Sequence, residues 1–287
     1  MRGRMVVRVS EQKRGRRRRR RGYAERKGLY PEHVPYVSES GGDGASPGVG
    51  PEAVFEVATY NVHRWSGVKG GVRWHPERAA AVIAELDADV FALQEVLRPA
   101  DGPDPLEILA QTWGLHFAFA PTRRHRLGVL GNAILSRWPM QAVISIDLSF
   151  GRLEPRSAIA AQFNGGAHTV AVVATHLAIF DRVRNWQVRT LLQHPNLQGP
   201  VVLLGDMNAW RRCPATRNLD REFTELHHNT AWPPSFPAAR PVLALDRIYA
   251  RNAQVAALRT HDSAAALRGS DHLPVHATVV LDENAEV

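Results

Sequence analysis

A single cysteine, Cys213, stands in a chain of 287 residues, so no disulfide framework supports the fold. Nothing in the sequence places a base beside it, and it reads as a bystander rather than a nucleophile. No apolar run reaches the roughly 18 residues that a membrane-spanning helix needs. The N-terminus carries Arg2, Arg4 and Arg8 but only a fragment of an apolar segment, "MVV", which is not the pattern of a secretory signal. A cytoplasmic protein is the expectation. The body of the chain also lacks an excess of either charge. Residues 1–50 hold 13 Lys and Arg against 5 Asp and Glu, which accounts for the entire formal charge of +8, and the 23 of each sign that remain cancel. A broad basic groove for polyanions is therefore not expected in the body.

What is present divides at residue 50. Residues 1–50 join the arginine block "KRGRRRRRRG" (13–22) to "ESGGDGASPGVGP", rich in Gly, Ser and Pro, and the composition predicts a disordered tail. Its functional reading is an electrostatic tether to nucleic acid or to an anionic membrane. Its plainer reading is a solvated extension. Residues 51–287 form the folding domain. Alternation or buried apolar runs predict strands over 55–62, 89–95, 131–136, 142–148, 157–163, 169–177, 201–204, 242–250, 253–260 and 274–281. Helical stripes are expected over 75–87, 105–113 and 181–194. No internal repeat is visible. Hairpin-like pairs mixed with helical crossovers imply mixed sheets covered by helices.

Polar residues recur where these strands end. Asn61 closes the first strand, Gln94 and Glu95 the second, and Thr175 and His176 a later one. In "VVLLGDMNAW" four apolar residues run into Asp206 and Asn208. Asp246 interrupts an apolar alternation, and "GSDHLP" sets Asp271 and His272 before the last strand. Six such ends imply a shared polar site at one edge of the sheets. Carboxylates with amide oxygens are hard ligands, suited to Mg²⁺ or Mn²⁺ rather than Zn²⁺. Two histidines are then left for proton transfer and anion stabilisation. The combination suits attack of water on phosphorus.

The motifs "TYNVH", "LQEV", "GNAILS", "THL", "GDMN", "LDRI" and "SDHLP" occur in the order and approximate spacing of the endonuclease/exonuclease/phosphatase superfamily, the DNase I-like phosphoesterases, and the chain resembles its compact bacterial members over about residues 53–281. The resemblance implies a four-layer α/β sandwich, two mixed β-sheets face to face with helices outside. It implies Glu95 as the main metal ligand with Asn61 beside it, and Asp271 as a second, water-mediated ligand. Asp206 and Asn208 would position the water and hold the scissile phosphate. His272 would be the general base or a phosphate-polarising imidazole, oriented by Asp246. His176 would contact a phosphate oxygen. Arg156, in "EPRSA", would face the phosphate, and Asn132 would help shape the site. The partner implied is a phosphate ester: a lipid head group, an inositol phosphate or a nucleic acid.

Departures from the family pattern narrow this. Abasic-site enzymes carry an acid where His63 stands and lack "THL", and DNase I itself is secreted and disulfide-bonded. The segments free to choose a substrate are 63–77, the arginine-rich loop 120–132, and the Pro-rich 232–241. In the last of these, Trp232–Pro237 reads as surface filling. His63, His227, His228 and His261 read as exposed or locally bonded. Two rivals to a general phosphoesterase follow. One is a nuclease, favoured by the basic 120–132 segment and the tail. The other is an inactive binding module, disfavoured by the complete set Glu95, Asp206, Asn208, Asp246, Asp271 and His272.

Overall fold

In a computed structural model, residues 36–38, 50–51, 53–71, 73–165, 168–223 and 231–282 are described. The arginine block, His227 and His228 lie outside the described residues. Twelve strands are present among those described: β1 (Tyr36–Ser38), β2 (Val54–Asn61), β3 (Val90–Pro99), β4 (His116–His125), β5 (Gly128–Ser136), β6 (Ala142–Asp147), β7 (Ser157–Gly165), β8 (His168–His176), β9 (Val201–Asp206), β10 (Asp246–Arg251), β11 (Ala253–Thr260) and β12 (Val275–Leu281). They form a seven-stranded sheet in the order β1-β4-β5-β3-β2-β12-β11 and a five-stranded sheet in the order β10-β9-β8-β7-β6. Each sheet has one parallel pair, β2 with β3 and β8 with β9, and its other pairs are antiparallel.

The two parallel pairs require helical crossovers. Helix α1 (Pro76–Leu86) joins β2 to β3, and α3 (Asp181–Leu192) joins β8 to β9. Pro76 opens α1, and Ala79, Val82 and Ile83 make its buried stripe. Helix α2 (Pro105–Trp113) starts on Asp104, whose side chain accepts from Leu106 N at 2.9 Å, and stops at Gly114. Apolar residues of both sheets, among them Val57, Ile134, Ile159, Val172 and Leu204, meet in one buried cluster between them. A second cluster lies under α1 and α2, and a third under α3 and α4 (Pro214–Glu222). The order helices, sheet, sheet, helices is the expected four-layer sandwich.

Four differences from the sequence expectation have local causes. Tyr36–Ser38, placed in the tail, pairs antiparallel with Phe117–Phe119 as an edge strand, a contact that only the partner strand discloses. The 120–132 segment, expected to be a loop, is the hairpin of β4 and β5, whose arginines fall on the outward-facing end of an otherwise buried strand. Helix α4 stands where the sequence pattern predicts no element, because Ala215 and Leu219, with Thr216 beside them, are its whole buried face. The strand expected over 242–250 begins only at Asp246.

Candidate active site

Asp206, the last residue of β9, is the centre of the site. In the sheet it lies between His176 on β8 and Asp246 on β10, directly opposite both. The chain reaches this point through Gly205, whose φ is +152° and whose hypothetical Cβ would lie 1.9 Å from the Thr175 carbonyl oxygen, so only glycine fits. Asp206 is buried, and its Oδ2 collects three nitrogens. Asn61 Nδ2 donates to it at 3.2 Å from the other sheet, His176 Nε2 lies at 3.3 Å, and His272 Nε2 at 3.8 Å. Its Oδ1 accepts Asn208 N at 2.9 Å. The Asn61–Asp206 bond spans from β2 to β9 and ties the two sheets at their common edge.

His272 is held on its far side. Its Nδ1 donates to Asp246 Oδ2 at 2.7 Å, and Ser235 Oγ donates to the same oxygen at 2.6 Å. Asp246 is fully buried and its Oδ1 has no hydrogen-bond partner. Burial works against an imidazolium at His272, but the Asp246 and Asp206 carboxylates outweigh it and raise its proton affinity. Burial is also the main cause pushing Asp206 up, opposed by His272 and by the donors from Asn208 and Asn61. His176 goes the other way. Burial, then the Arg156 guanidinium, hold it well below the ordinary imidazole range. Arg156 Nη1 stands 3.1 Å from His176 Nδ1. A guanidinium only donates, so Nδ1 is the acceptor and Nε2 carries the proton that faces Asp206.

Glu95 sits in a β-bulge. Leu93 pairs with Ala133 and Val96 with Gly131, so Gln94 and Glu95 together oppose Asn132. The bulge sets Glu95 at φ +52°, a conformation costly for a side-chain-bearing residue and typical of functional positions. Its carboxylate has Arg64 Nε at 3.7 Å, an ion pair beyond hydrogen-bond range. Asp271 Oδ1 lies 3.1 Å from His63 Nδ1. His63 and Arg64 belong to one turn, 63–65, in which three successive side-chain-bearing residues have positive φ. Asn61 Oδ1 anchors that turn by accepting His63 N at 3.0 Å.

The expected residues are therefore gathered to different degrees. Asn61, His176, Asp206, Asp246 and His272 meet directly. Asn208, at φ +50°, turns its amide onto the Leu177 carbonyl at 2.9 Å. Arg156 joins through His176, and Glu95 and Asp271 through the 63–65 turn. Asn132 donates to the Ser157 carbonyl at 2.8 Å and supports the site through backbone alone. Gln94 turns inward to Thr59 and the Ala92 carbonyl and takes no part. His63 is locally bonded as expected, on Gly67 O as well as Asp271. His261 pairs with Glu85.

Three residues were missed in the Pro-rich segment, which is not surface filling. Ser235 is fully buried against Asp246, Phe236 lays its ring 4.8 Å from that of His272, and Trp232 packs 4.8 Å from Tyr249. Ser270 was missed as well. Its hydroxyl donates to Asn61 O at 2.6 Å and accepts His272 N at 3.3 Å. Its position beside "DHLP" was the available signal.

Asp206, Asp246 and His272 bring ligand atoms within 4.8 Å of one another. Both ring nitrogens of His272 already face carboxylates, so these three form a proton-sharing array rather than an open cation cage. Glu95, Asn61 and Asp271 offer oxygen, and Glu95 meets its cationic neighbour beyond hydrogen-bond range. That chemistry fits a hard divalent ion.

The profile of the endonuclease/exonuclease/phosphatase family matches residues 68–272, which carry Glu95, Asp206 and His272. The chain belongs to this family. It is 31% identical to YbhP of Escherichia coli over 249 residues, covering 79% of this chain and 96% of YbhP. Among solved structures, an endonuclease/exonuclease/phosphatase of Beutenbergia cavernae superposes with a TM-score of 0.62 at 24% identity, over 80% of this chain and 72% of that one. The mannosyl-6-phosphatase Bt3783 of Bacteroides thetaiotaomicron gives 0.61 at 16% identity, over 79% and 100%. At these identities the two structures speak for the shared fold. The family's members are hydrolases acting on phosphate esters.

Proposed function

We propose that the protein hydrolyses a phosphate ester, a phosphodiester or a phosphomonoester, by direct attack of water, with Mg²⁺ or Mn²⁺ as cofactor. The observation that carries this is the array Asp246–His272–Asp206, joined across the sheets to Asn61 and closed on its other side by His176. Water needs a base to become a nucleophile, and the phosphoryl oxygens need donors as charge develops on them. Asp206, whose proton affinity burial raises, is suited to hold the water and take its proton, with Asn208 beside it. His272 is kept cationic by Asp246 and faces the pocket through Nε2, as a donor to a phosphoryl oxygen or a proton relay for Asp206. His176, neutral and protonated on Nε2, supplies a second donor, and Arg156 behind it a fixed positive charge. Glu95, Asn61 and Asp271 would hold the divalent ion, which when bound polarises the phosphoryl group.

A nuclease is favoured by one feature, the arginines of the β4–β5 hairpin. Arg123 reaches the surroundings of the site, where its charge acts on His176 and its side chain pairs with Glu154 at 2.7 Å. The completeness of the array speaks against a binding module without catalysis.

The test is hydrolysis of bis-p-nitrophenyl phosphate, plasmid DNA, RNA, phospholipids and inositol phosphates with Mg²⁺ or Mn²⁺ and with chelator. Activity on at least one class that vanishes with chelator, returns with metal, and falls about 10²- to 10⁴-fold in His272→Ala is expected. Equal turnover by His272→Ala would falsify the mechanism.

A further inference from the structure

The strand ends that bring His176 and Asp206 to the site do not stop there. Two residues beyond Leu177 the chain exposes Ile179 and Phe180, 53% and 64% accessible, and two beyond Asn208 it exposes Trp210, 49% accessible. Leu153 and Trp186 are exposed as well, and Phe150 rests its ring 5.3 Å from that of Trp186. Large apolar side chains held in water cost free energy and, when they cluster, mark a docking surface.

These tips are not frayed ends. Buried Arg184 donates to the carbonyls of Ala178 at 2.9 Å, Ile179 at 2.8 Å and Asn208 at 2.7 Å, and its guanidinium lies 5.8 Å from the Trp210 ring centre. Asp181, next to Phe180, pairs with Arg211, next to Trp210, at 2.9 Å. One buried cation and one ion pair thus lock the two loops together with their apolar side chains outward.

We propose that this edge docks on an anionic lipid bilayer and turns the candidate site toward the plane of the headgroup phosphates. Three features select that occupant. Ile179 and Leu153 are aliphatic: they have no flat face to stack on a nucleobase, but they partition readily into the acyl boundary. Trp and Phe are the side chains that settle at a membrane interface. Arg152, Arg182 and Arg212 are exposed in the same segments, and they complement anionic headgroups at this edge of a body whose charges balance as a whole. The contact is interfacial, and among the described residues no helix is long and apolar enough to cross a membrane. Docking goes beyond the hydrolytic reading and does not depend on it.

The test uses the full chain, with the arginine block kept in every variant. Co-sedimentation is measured with vesicles of phosphatidylcholine containing phosphatidylglycerol, for the wild type and for the combined variant Ile179→Ser, Phe180→Ser, Trp210→Ser. Partitioning of the variant should fall about tenfold or more, while its circular dichroism and its turnover of bis-p-nitrophenyl phosphate stay as in the wild type. In wild-type protein, brominated acyl chains should quench tryptophan emission, and Trp210→Phe should remove much of that quenching, a readout that survives if the combined variant folds poorly. Unchanged partitioning of the variant, or quenching that ignores Trp210→Phe, overturns the docking. So does a variant that keeps its vesicle affinity but loses a single-stranded oligonucleotide, which would assign the tips to nucleobases. Vesicle binding by a wild type that hydrolyses nothing would remove the hydrolase reading and leave the docking standing.

Discussion

Asp206 Oδ2 has Asn61, His176 and His272 nitrogens around it, and the behaviour of the site follows from which of them carry protons. Burial, then Arg156, holds His176 low, and the Asp246 and Asp206 carboxylates hold His272 high against its burial. Asp246 in turn depends on Ser235, because its other oxygen is buried without a partner. Ser235→Ala leaves that carboxylate with His272 as its one side-chain donor, and turnover should fall about 10- to 100-fold with little change in KM. Ser235→Thr, which keeps the hydroxyl, should restore most of it. A change confined to stability would show that Ser235 only packs. Glu95→Gln removes the charge of the expected main metal ligand. The Mg²⁺ concentration for half-maximal activity should rise about tenfold or more. If metal titrations of wild type and variant coincide, the ion is held elsewhere, with Asp206, Asp246 and His272 the next candidates.

At the scale of elements, the site exists because β8 and β9 end, and antiparallel β10 begins, in register, while β2 ends and β3 bulges beside them in the other sheet. Gly205 permits the last step of β9 toward Asp206. In Gly205→Ala the new methyl would press on the Thr175 carbonyl at a backbone conformation that alanine seldom adopts. A loss of about 3 kcal/mol or more is expected, read as a fall of roughly 10 °C in Tm. Unchanged thermal unfolding would mean that β8 and β9 can separate at little cost. The bulge in β3 is the second such device. It was invisible in "DVFALQE", where residues 89–95 read as an uninterrupted strand, because a bulge is defined by the partner β5 and not by the strand that carries it. The Pro-rich segment misled for a related reason. Its composition is that of a surface turn, yet Ser235 is drawn inward by an acid eleven residues away.

For the whole molecule, the family match, the two-sheet sandwich and the balanced charge of residues 51–287 all describe one unit. Its edge on the tail side differs from the compositional boundary, because Tyr36–Ser38 covers β4. Deleting residues 1–35 should therefore leave both Tm and turnover of a small phosphodiester unchanged. Deleting 1–50 strips the strand from β4 and should lower stability by about 1 to 3 kcal/mol without abolishing turnover. Thermal unfolding of the two truncations, compared with the full chain, tests this. Equal Tm for both would return 36–38 to the tail, and a large loss of turnover in the shorter deletion would give the tail a catalytic part.

The sequence alone determined the mixed sheets covered by helices and the polar residues at strand ends, and the resemblance its motifs carry implied the four-layer sandwich and the residue roles. Period-two and helical apolar patterns follow from local geometry, and acids or histidines set directly against apolar strands carry a desolvation cost that marks them without any structure in hand. Glu95, His176, Asp206, Asp246 and His272 were legible for that reason, and Asn61 through the motif "TYNVH". Only the tertiary structure decided the state and support of those residues: the neutral His176, the Ser235 and Ser270 hydroxyls, the bulge under Glu95, and the outward apolar tips beside the pocket. Protonation, hydrogen-bond partners and exposure are properties of what surrounds a residue in space, and here those surroundings come from strands that lie far apart along the chain.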